Sequence, residues 1–215
     1  MQRLKQAGAL LIGSTNMHEF AWGGTTNNPH YGASSNPWDD ARILPVSSGG
    51  SGVASVRSAL ATLGTDTGGS IRLPASMNGI TGLRPGVGRL STEGIFPLAT
   101  SLDTVGPLAP MPKSVKCCFN VLDGKTTAAD SITGTGRIAY WLTAGCASAE
   151  YSLMSRLPMI QMVQWFSAAG ACCQTLSLTG LEQAVNALVL INLGTGFTHA
   201  AWLADRPARI RCGCA

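Results

Sequence analysis

Two serine loops rich in glycine carry the chemistry that this sequence could perform. The first reads SSGGSG at residues 47–52, and the second reads GTDTGGSIRLPA at residues 64–75. Glycine lacks a Cβ and tolerates positive φ, so a neighbouring serine hydroxyl can approach a substrate closely. Backbone N–H groups in such a loop can also stabilise a developing oxyanion. The pattern indicates acyl transfer on a serine, with Ser70 as the candidate nucleophile.

A serine nucleophile needs a base that removes its proton. The three histidines, His18, His30 and His199, lie in no motif that connects them with the candidate nucleophile. A lysine whose pKa is lowered by burial could act instead, with Ser47 or Ser48 as a bridge. Plain turns and a phosphate cradle stay open as alternatives, although neither loop matches GxxxxGK[ST] or GxSxG.

Short apolar runs and helical patterns alternate around these loops. This alternation predicts an α/β fold with a mixed β-sheet core flanked by helices. The predicted strands cover 9–12, 61–64, 79–83 and 137–140, and the predicted helices cover 51–61, 71–76, 115–122 and 180–199.

Composition narrows the class of protein. Of 215 residues, 45% are hydrophobic, which argues against disorder, and only 12% are charged. So low a charge content indicates either that much of the surface meets another surface or that part of the sequence is not under the normal constraints of folding. The basic residues are scattered, so no direct nucleic-acid partner is expected. Seven cysteines without a paired CxxC argue against zinc and for reduced thiols in the cytoplasm. We expect neither a signal peptide nor a membrane span.

Further motifs flank the two loops in a fixed order. They are GSTNMHEF at 13–20, NPWD at 36–39, GITGLRPG at 79–86, GRLS at 88–91 and SLDTVGP at 101–107. Together with the serine loops they resemble the amidase signature family over about residues 3–123, with a fainter match over 170–207.

The resemblance implies a Ser–cis-Ser–Lys triad on an α/β fold and no metal or organic cofactor. Ser70 would be the nucleophile, and Ser47 the bridging serine on a cis peptide bond. The resemblance assigns the oxyanion hole to Thr67, Gly68, Gly69 and Ser70, and support of the loop to Ser48, Asp66 and Arg72.

The sequence departs from the family pattern at three places. The family lysine lies well upstream of the bridging serine, where this chain offers only Lys5 in a different context, so we expect an N-terminally truncated, incomplete fold. Pro45 and Val46 stand where the family has two glycines. We expect residues 1–125 to form the partial core and 126–215 the C-terminal part of the same domain. Poor patterning at 141–175 and 208–215 suggests a locally shifted reading frame.

The resemblance implies hydrolysis of a small-molecule amide through a serine acyl-enzyme, with this polypeptide an inactive fragment of the enzyme. One alternative is the glutaminase component of a glutamyl-tRNA amidotransferase, its A chain, which works with partner subunits. Another is a non-catalytic remnant. Amidotransferase partners or a second copy of the chain are the candidate protein partners.

Overall fold

The computed structural model describes residues 1–44, 47–125, 136–140, 149–176 and 186–205. The chain divides into two compact units, residues 1–127 with 185–215, and residues 128–184. Both serine loops belong to the first unit. Helices and small sheets alternate along the chain, which confirms the predicted α/β class.

The helices of the first unit match the predicted pattern closely. The predicted segments 51–61, 71–76, 115–122 and 180–199 correspond to the second, third, fourth and sixth α-helices. The α-helices of the chain are α1 (Gln2–Gln6), α2 (Gly49–Arg57), α3 (Arg72–Asn78), α4 (Pro112–Asp123), α5 (Ala149–Ala168) and α6 (Asn186–Asp205), with a 3-10 turn at Glu19–Ala21.

The strands form several small sheets. The strands are β1 (Asn27–Asn28), β2 (Gly32–Ala33), β3 (Ser35–Asn36), β4 (Asp39–Ile43), β5 (Thr62–Asp66), β6 (Thr81–Gly82), β7 (Thr104–Ala109), β8 (Arg137–Tyr140) and β9 (Cys172–Thr175). β1 pairs with β2, β3 pairs with β4, and β7 lies between β5 and β6, all antiparallel, whereas β8 and β9 are parallel. The strands predicted at 61–64 and 79–83 overlap β5 and β6.

The three-stranded sheet is the centre of the first unit. Every residue of β7 is buried, and its pairing with β5 runs from Thr62 opposite Leu108 to Asp66 opposite Thr104. Helix α3 covers this sheet, because Ile71 and Ala75 pack with Leu108 to form the hydrophobic core. The second serine loop therefore runs from β5, which pairs with the buried β7, into the helix that covers the sheet.

The predicted buried strand at residues 9–12 is wrong. Leu10, Leu11 and Ile12 are 86%, 54% and 69% exposed and form no strand. An apolar run becomes a buried strand only when neighbouring strands pair with it and cover it, and no strand among the described residues does so.

The second unit contains the β8–β9 pair and α5. The strand predicted at 137–140 is confirmed, and within 141–175, where the sequence patterning is poor, the structure forms α5 and β9. The other weakly patterned segment, 208–215, lies outside the described residues. Within the described part of the chain, no helix is long and apolar enough to cross a membrane.

Candidate active site

The first serine loop enters α2 through glycines that leave no room for side chains. A Cβ on Gly49 would lie 2.0 Å from the Thr26 hydroxyl oxygen, and one on Gly50 would lie 2.2 Å from the Asn16 carbonyl oxygen. The backbone therefore packs directly on the preceding segment. This packing buries the loop and with it Ser47.

Two serines of this loop join it to β5. Ser48 Oγ donates to the Thr65 carbonyl at 3.2 Å and accepts from the Thr65 amide at 3.2 Å. One turn later, Ser51 Oγ donates to the Leu63 carbonyl at 2.8 Å. The position of the first loop is thus fixed relative to the strand that leads into the second loop.

The Ser47 hydroxyl is fully buried and has no hydrogen-bond partner among the described residues. Its carbonyl accepts from the His18 amide at 3.1 Å, so its backbone is held. A buried hydroxyl without a partner is unfavourable and is often found where function requires it. Ser47 is predicted to be held on a cis peptide bond; no peptide bond between described residues is cis, and residue 46, which precedes Ser47, lies outside the described residues.

Asp66 organises the second loop. Its fully buried carboxylate accepts from the amides of Gly69 at 2.8 Å and Ile71 at 3.1 Å. Arg72 donates three times, from its amide at 3.4 Å and from Nε and Nη2 at 3.0 and 3.1 Å. Arg84 Nε donates a further hydrogen bond to the Asp66 carboxylate at 3.2 Å. The turn between β5 and α3 is therefore built around one carboxylate.

These contacts set the charge of Asp66. Burial alone raises the pKa of its carboxyl group, but the hydrogen bonds from Arg72, Ile71 and Gly69 and the positive charge of Arg72 outweigh it. The net result is a pKa below the ordinary value of 3.8. The hydrogen bond to Asp66 in turn raises the pKa of the Arg72 guanidinium. Asp66 is therefore an anion at neutral pH, and it orders the loop as one.

The four residues predicted as an oxyanion hole differ in what their amides do. The Gly69 amide, at φ +136°, is already donated to Asp66. The amides of Thr67, Gly68 and Ser70 make no hydrogen bond within the described residues. Thr67 and Ser70 are buried, whereas Gly68 is exposed, so the three amides lie where the buried loop meets solvent.

Sequence reasoning missed two charged residues that support this loop. Arg84 reaches from Asp66 to the Leu102 carbonyl, to which Nη2 donates at 3.0 Å. Asp103 accepts from Thr67 Oγ1 at 2.5 Å, and also from backbone amides in the segment before it. Both lie inside motifs named above, GITGLRPG and SLDTVGP, where each is the single charged residue of its motif. That isolation was the signal that could have found them.

The two candidate catalytic serines occupy equivalent positions. Ser47 and Ser70 each lie two residues before the first residue of a helix, and α2 and α3 pack on each other. No hydrogen bond joins their hydroxyls among the described residues. Their cooperation in one proton relay stays a prediction.

The histidines make other contacts. His199 Nε2 lies 2.9 Å from the Pro97 carbonyl oxygen, which assigns a proton to that nitrogen, and its ring stacks on Phe96 at 5.1 Å. His30 pairs with Glu19 at 3.2 Å. Among the described residues no group of three His, Cys, Asp or Glu side chains is placed to hold a metal ion.

Comparison with known proteins finds a matching family model and similar relatives of the chain. The family model described as Amidase matches residues 1–192. The chain is 49% identical over 125 residues to AtzE, a component of the 1-carboxybiuret hydrolase of Pseudomonas sp. (strain ADP), covering 58% of this chain and 27% of that protein. It is 46% identical over 138 residues to the A chain of the glutamyl-tRNA(Gln) amidotransferase of Archaeoglobus fulgidus, covering 64% and 30%.

Solved structures agree with the family model. A crystal structure of an amidase superposes with a TM-score of 0.82 at 32% identity, over 98% of this chain and 48% of the amidase. The chain therefore spans about half the length of that amidase and less than a third of the two relatives named above. The family model alone matches most of the chain, and the chain belongs to the amidase family.

Proposed function

We propose that the two serine loops form part of an amide-hydrolase site with Ser70 as nucleophile. Ser70 Oγ bonds to the carbonyl carbon of a small-molecule amide, the C–N bond breaks, and the nitrogen takes up the proton that Ser70 gave up and leaves as ammonia or an amine. Water then hydrolyses the ester on Ser70 and releases the acid. Membership of the amidase family supports this reaction class.

The loop of residues 67–70 carries the proposal most strongly. Three of its four amides are not consumed by hydrogen bonds within the described residues, while Asp66 holds the turn through the fourth. Preorganised amides of this kind stabilise the charge that develops on a carbonyl oxygen, and the loss of one donor typically costs about 10²–10³ in rate.

The proposed role of Ser47 is to pass the proton of Ser70 to a base. Its buried hydroxyl without a partner supports this role, because it can still donate one hydrogen bond and accept others. In the family that the motifs resemble, the base is a lysine. No described lysine contacts the Ser47 hydroxyl.

Covalent labelling identifies the nucleophile. We expect a fluorophosphonate to label Ser70, slowly in the 215-residue polypeptide, as mapped by mass spectrometry of proteolytic peptides. Ser70→Ala should remove the label, and Ser76→Ala should leave it unchanged, because Ser76 is an exposed serine on α3. A label on another residue, or one that survives Ser70→Ala, contradicts the proposal.

A second candidate function is that of the A chain of a glutamyl-tRNA amidotransferase, favoured by the Archaeoglobus fulgidus relative. The two functions differ in partner and substrate. Stable co-purification with amidotransferase partners and ammonia release from glutamine would favour the amidotransferase. Hydrolysis of simple amides by the protein without such partners would favour the stand-alone amidase.

A further inference from the structure

Helix α6 contacts the second serine loop directly. A Cβ on Gly68 would lie 2.7 Å from Ile191 Cδ1. Three residues further along the helix, a Cβ on Gly194 would lie 3.0 Å from Ala99 Cβ. The buried His199 follows on the same side, because residues three and eight positions apart share one face of a helix. One face of α6 therefore packs on the loop and on the segment before β7.

The glycine at position 68 is required by this contact and not by its own backbone. Gly69 has φ of +136°, which side chains rarely adopt, whereas Gly68 is not among the described glycines with positive φ. An alanine can therefore take the backbone conformation of Gly68. The space that its Cβ needs is occupied by Ile191 Cδ1.

Ile191 is also a close neighbour of the Gly68 amide. The nitrogen and Cβ of one residue are about 2.5 Å apart, so Ile191 Cδ1 lies no more than about 5 Å from the Gly68 nitrogen. That amide makes no hydrogen bond within the described residues, and Gly68 is exposed, so a ligand can reach it. A carbonyl oxygen that accepts from it at about 2.9 Å lies within about 8 Å of Ile191 Cδ1.

The same helix supports Thr67 by a second route. Thr67 Oγ1 donates to the Asp103 side chain, which also accepts from the Ala99 amide. Ala99 is the residue that Gly194 of α6 approaches. The first two residues of the predicted oxyanion hole are thus held from α6, Gly68 by direct contact and Thr67 through this hydrogen-bonded segment.

We propose that Ile191 is a positioning residue of the amide-hydrolase site, which holds the Gly68 amide where it donates to the substrate carbonyl oxygen. Isoleucine suits this role, because its χ1 angle is nearly fixed in a helix and only its terminal bond can turn. The inference rests on the proposed function, since it concerns the loop that ends at Ser70. Ile191 acts through Gly68 and needs no contact with the substrate.

Saturation kinetics of fluorophosphonate labelling test this role in the 215-residue chain. Ile191→Ala should lower the limiting rate constant for labelling of Ser70 about tenfold and leave the half-saturating reagent concentration unchanged, because an oxyanion donor acts on the transition state. Leu193→Ala is the control, since Leu193 is 54% exposed on the same helix and should leave both values unchanged. An unchanged rate constant in Ile191→Ala, or an equal loss in Leu193→Ala, overturns the proposal.

A size swap tests the contact itself. Gly68→Ala places a methyl group against Ile191 Cδ1 and should slow labelling about tenfold. Ile191→Val removes only that carbon, so Gly68→Ala combined with Ile191→Val should label within about threefold of the unmodified rate. Gly68→Ala combined with Leu193→Ala should recover nothing, and equal labelling of the two double variants contradicts the assignment. Rates are compared in variants that circular dichroism shows to be folded, which separates positioning of the loop from loss of the fold.

Thermal unfolding of the same variants separates this inference from the proposed function. We expect the swap to recover the Tm lost in Gly68→Ala as well as the labelling rate. Labelled Ser70 without recovery in the swap overturns this inference alone. Recovery of the Tm in the swap with Ser70 unlabelled keeps Ile191 as the support of the loop and overturns the proposed function.

Discussion

At the scale of single residues, Asp66 is the side chain on which the second loop depends. It accepts six hydrogen bonds while fully buried. Asp66→Asn keeps the size but removes the charge that Arg72 and Arg84 face, so we expect a loss of about 2–3 kcal/mol in the free energy of unfolding. Denaturant unfolding measures it. Asp39→Asn, in an exposed ion pair, is the control and should change stability by less than about 0.5 kcal/mol.

The same carboxylate predicts a pH dependence with a definite sign. The pKa of Asp66 is lowered in the folded protein from the ordinary value of 3.8. Its contribution to stability is therefore complete above that value and is lost as the pH falls through the lower, folded pKa. Unfolding curves recorded from neutral pH down to below pH 3.8 should show this decline in the unmodified chain and a smaller one in Asp66→Asn. Parallel declines in both proteins would count against it.

The Ser47 hydroxyl, which has no hydrogen-bond partner among the described residues, leads to a prediction about reactivity. Because its hydroxyl contacts no base among the described residues, we expect slow fluorophosphonate labelling of Ser70 in the 215-residue polypeptide and no measurable amide turnover. Ser47→Ala should then alter the labelling rate by less than about twofold, since a relay without a base contributes little. A drop of about 10²–10⁴-fold would show that a general base already acts through Ser47. Ser58→Ala, at an exposed serine after α2, is the control.

At the scale of elements, the entry to α2 tolerates no side chain. A Cβ on Gly50 would lie 2.2 Å from the Asn16 carbonyl oxygen, which is backbone and cannot move aside alone. Alanine is the better helix former by about 1 kcal/mol, but the clash outweighs this gain, and we expect Gly50→Ala to lower the free energy of unfolding by about 2 kcal/mol or more. Thermal unfolding measures the loss. Gly86→Ala, with open space around its Cβ, should be neutral or slightly stabilising.

Elements with local signals could be predicted from the sequence, and those that depend on distant partners could not. Helix α4 has a proline at its start and Gly124 after its end, so local residues predict both ends of the helix. Helix α5 could not be predicted, because its apolar residues lie on all sides of the helix and form no single apolar face. The strand expected at 9–12 failed because burial depends on a partner strand.

The same distinction between local signals and distant partners holds for the residues of the candidate site. Ser70, Ser47 and the glycines around them could be named from composition and motif, since the loops carry their own signature. Arg84 and Asp103 could not be assigned a role, because their partners lie 18 and 36 residues away along the chain and meet them only across the sheet.

At the scale of the whole molecule, the low charge content coincides with exposed apolar side chains. Leu10, Leu11 and Ile12 form one exposed apolar run. Such a run favours association between copies, so we expect the isolated chain to form oligomers or to be poorly soluble. Leu10→Lys should shift the mass measured by light scattering toward the monomer.

The control for this prediction is Leu60→Lys. Leu60 is 91% exposed, close to the 86% of Leu10, but stands between alanines rather than in an apolar run. We expect it to leave the mass distribution nearly unchanged. A monodisperse monomer in the unmodified chain, with a sharp cooperative thermal transition, would falsify the association prediction.

The pairing of β5 with β7 has a consequence for biosynthesis. Thr104 Oγ1 donates to the Asp66 carbonyl, and these residues are 38 positions apart. At about 5–20 residues per second, a ribosome needs about 2–8 s to extend the chain from one to the other. Throughout that interval β5 has emerged without its neighbour and presents a free edge to other nascent chains. The strand that supports the serine loop is therefore also a segment that benefits from chaperone protection while the polypeptide is being made.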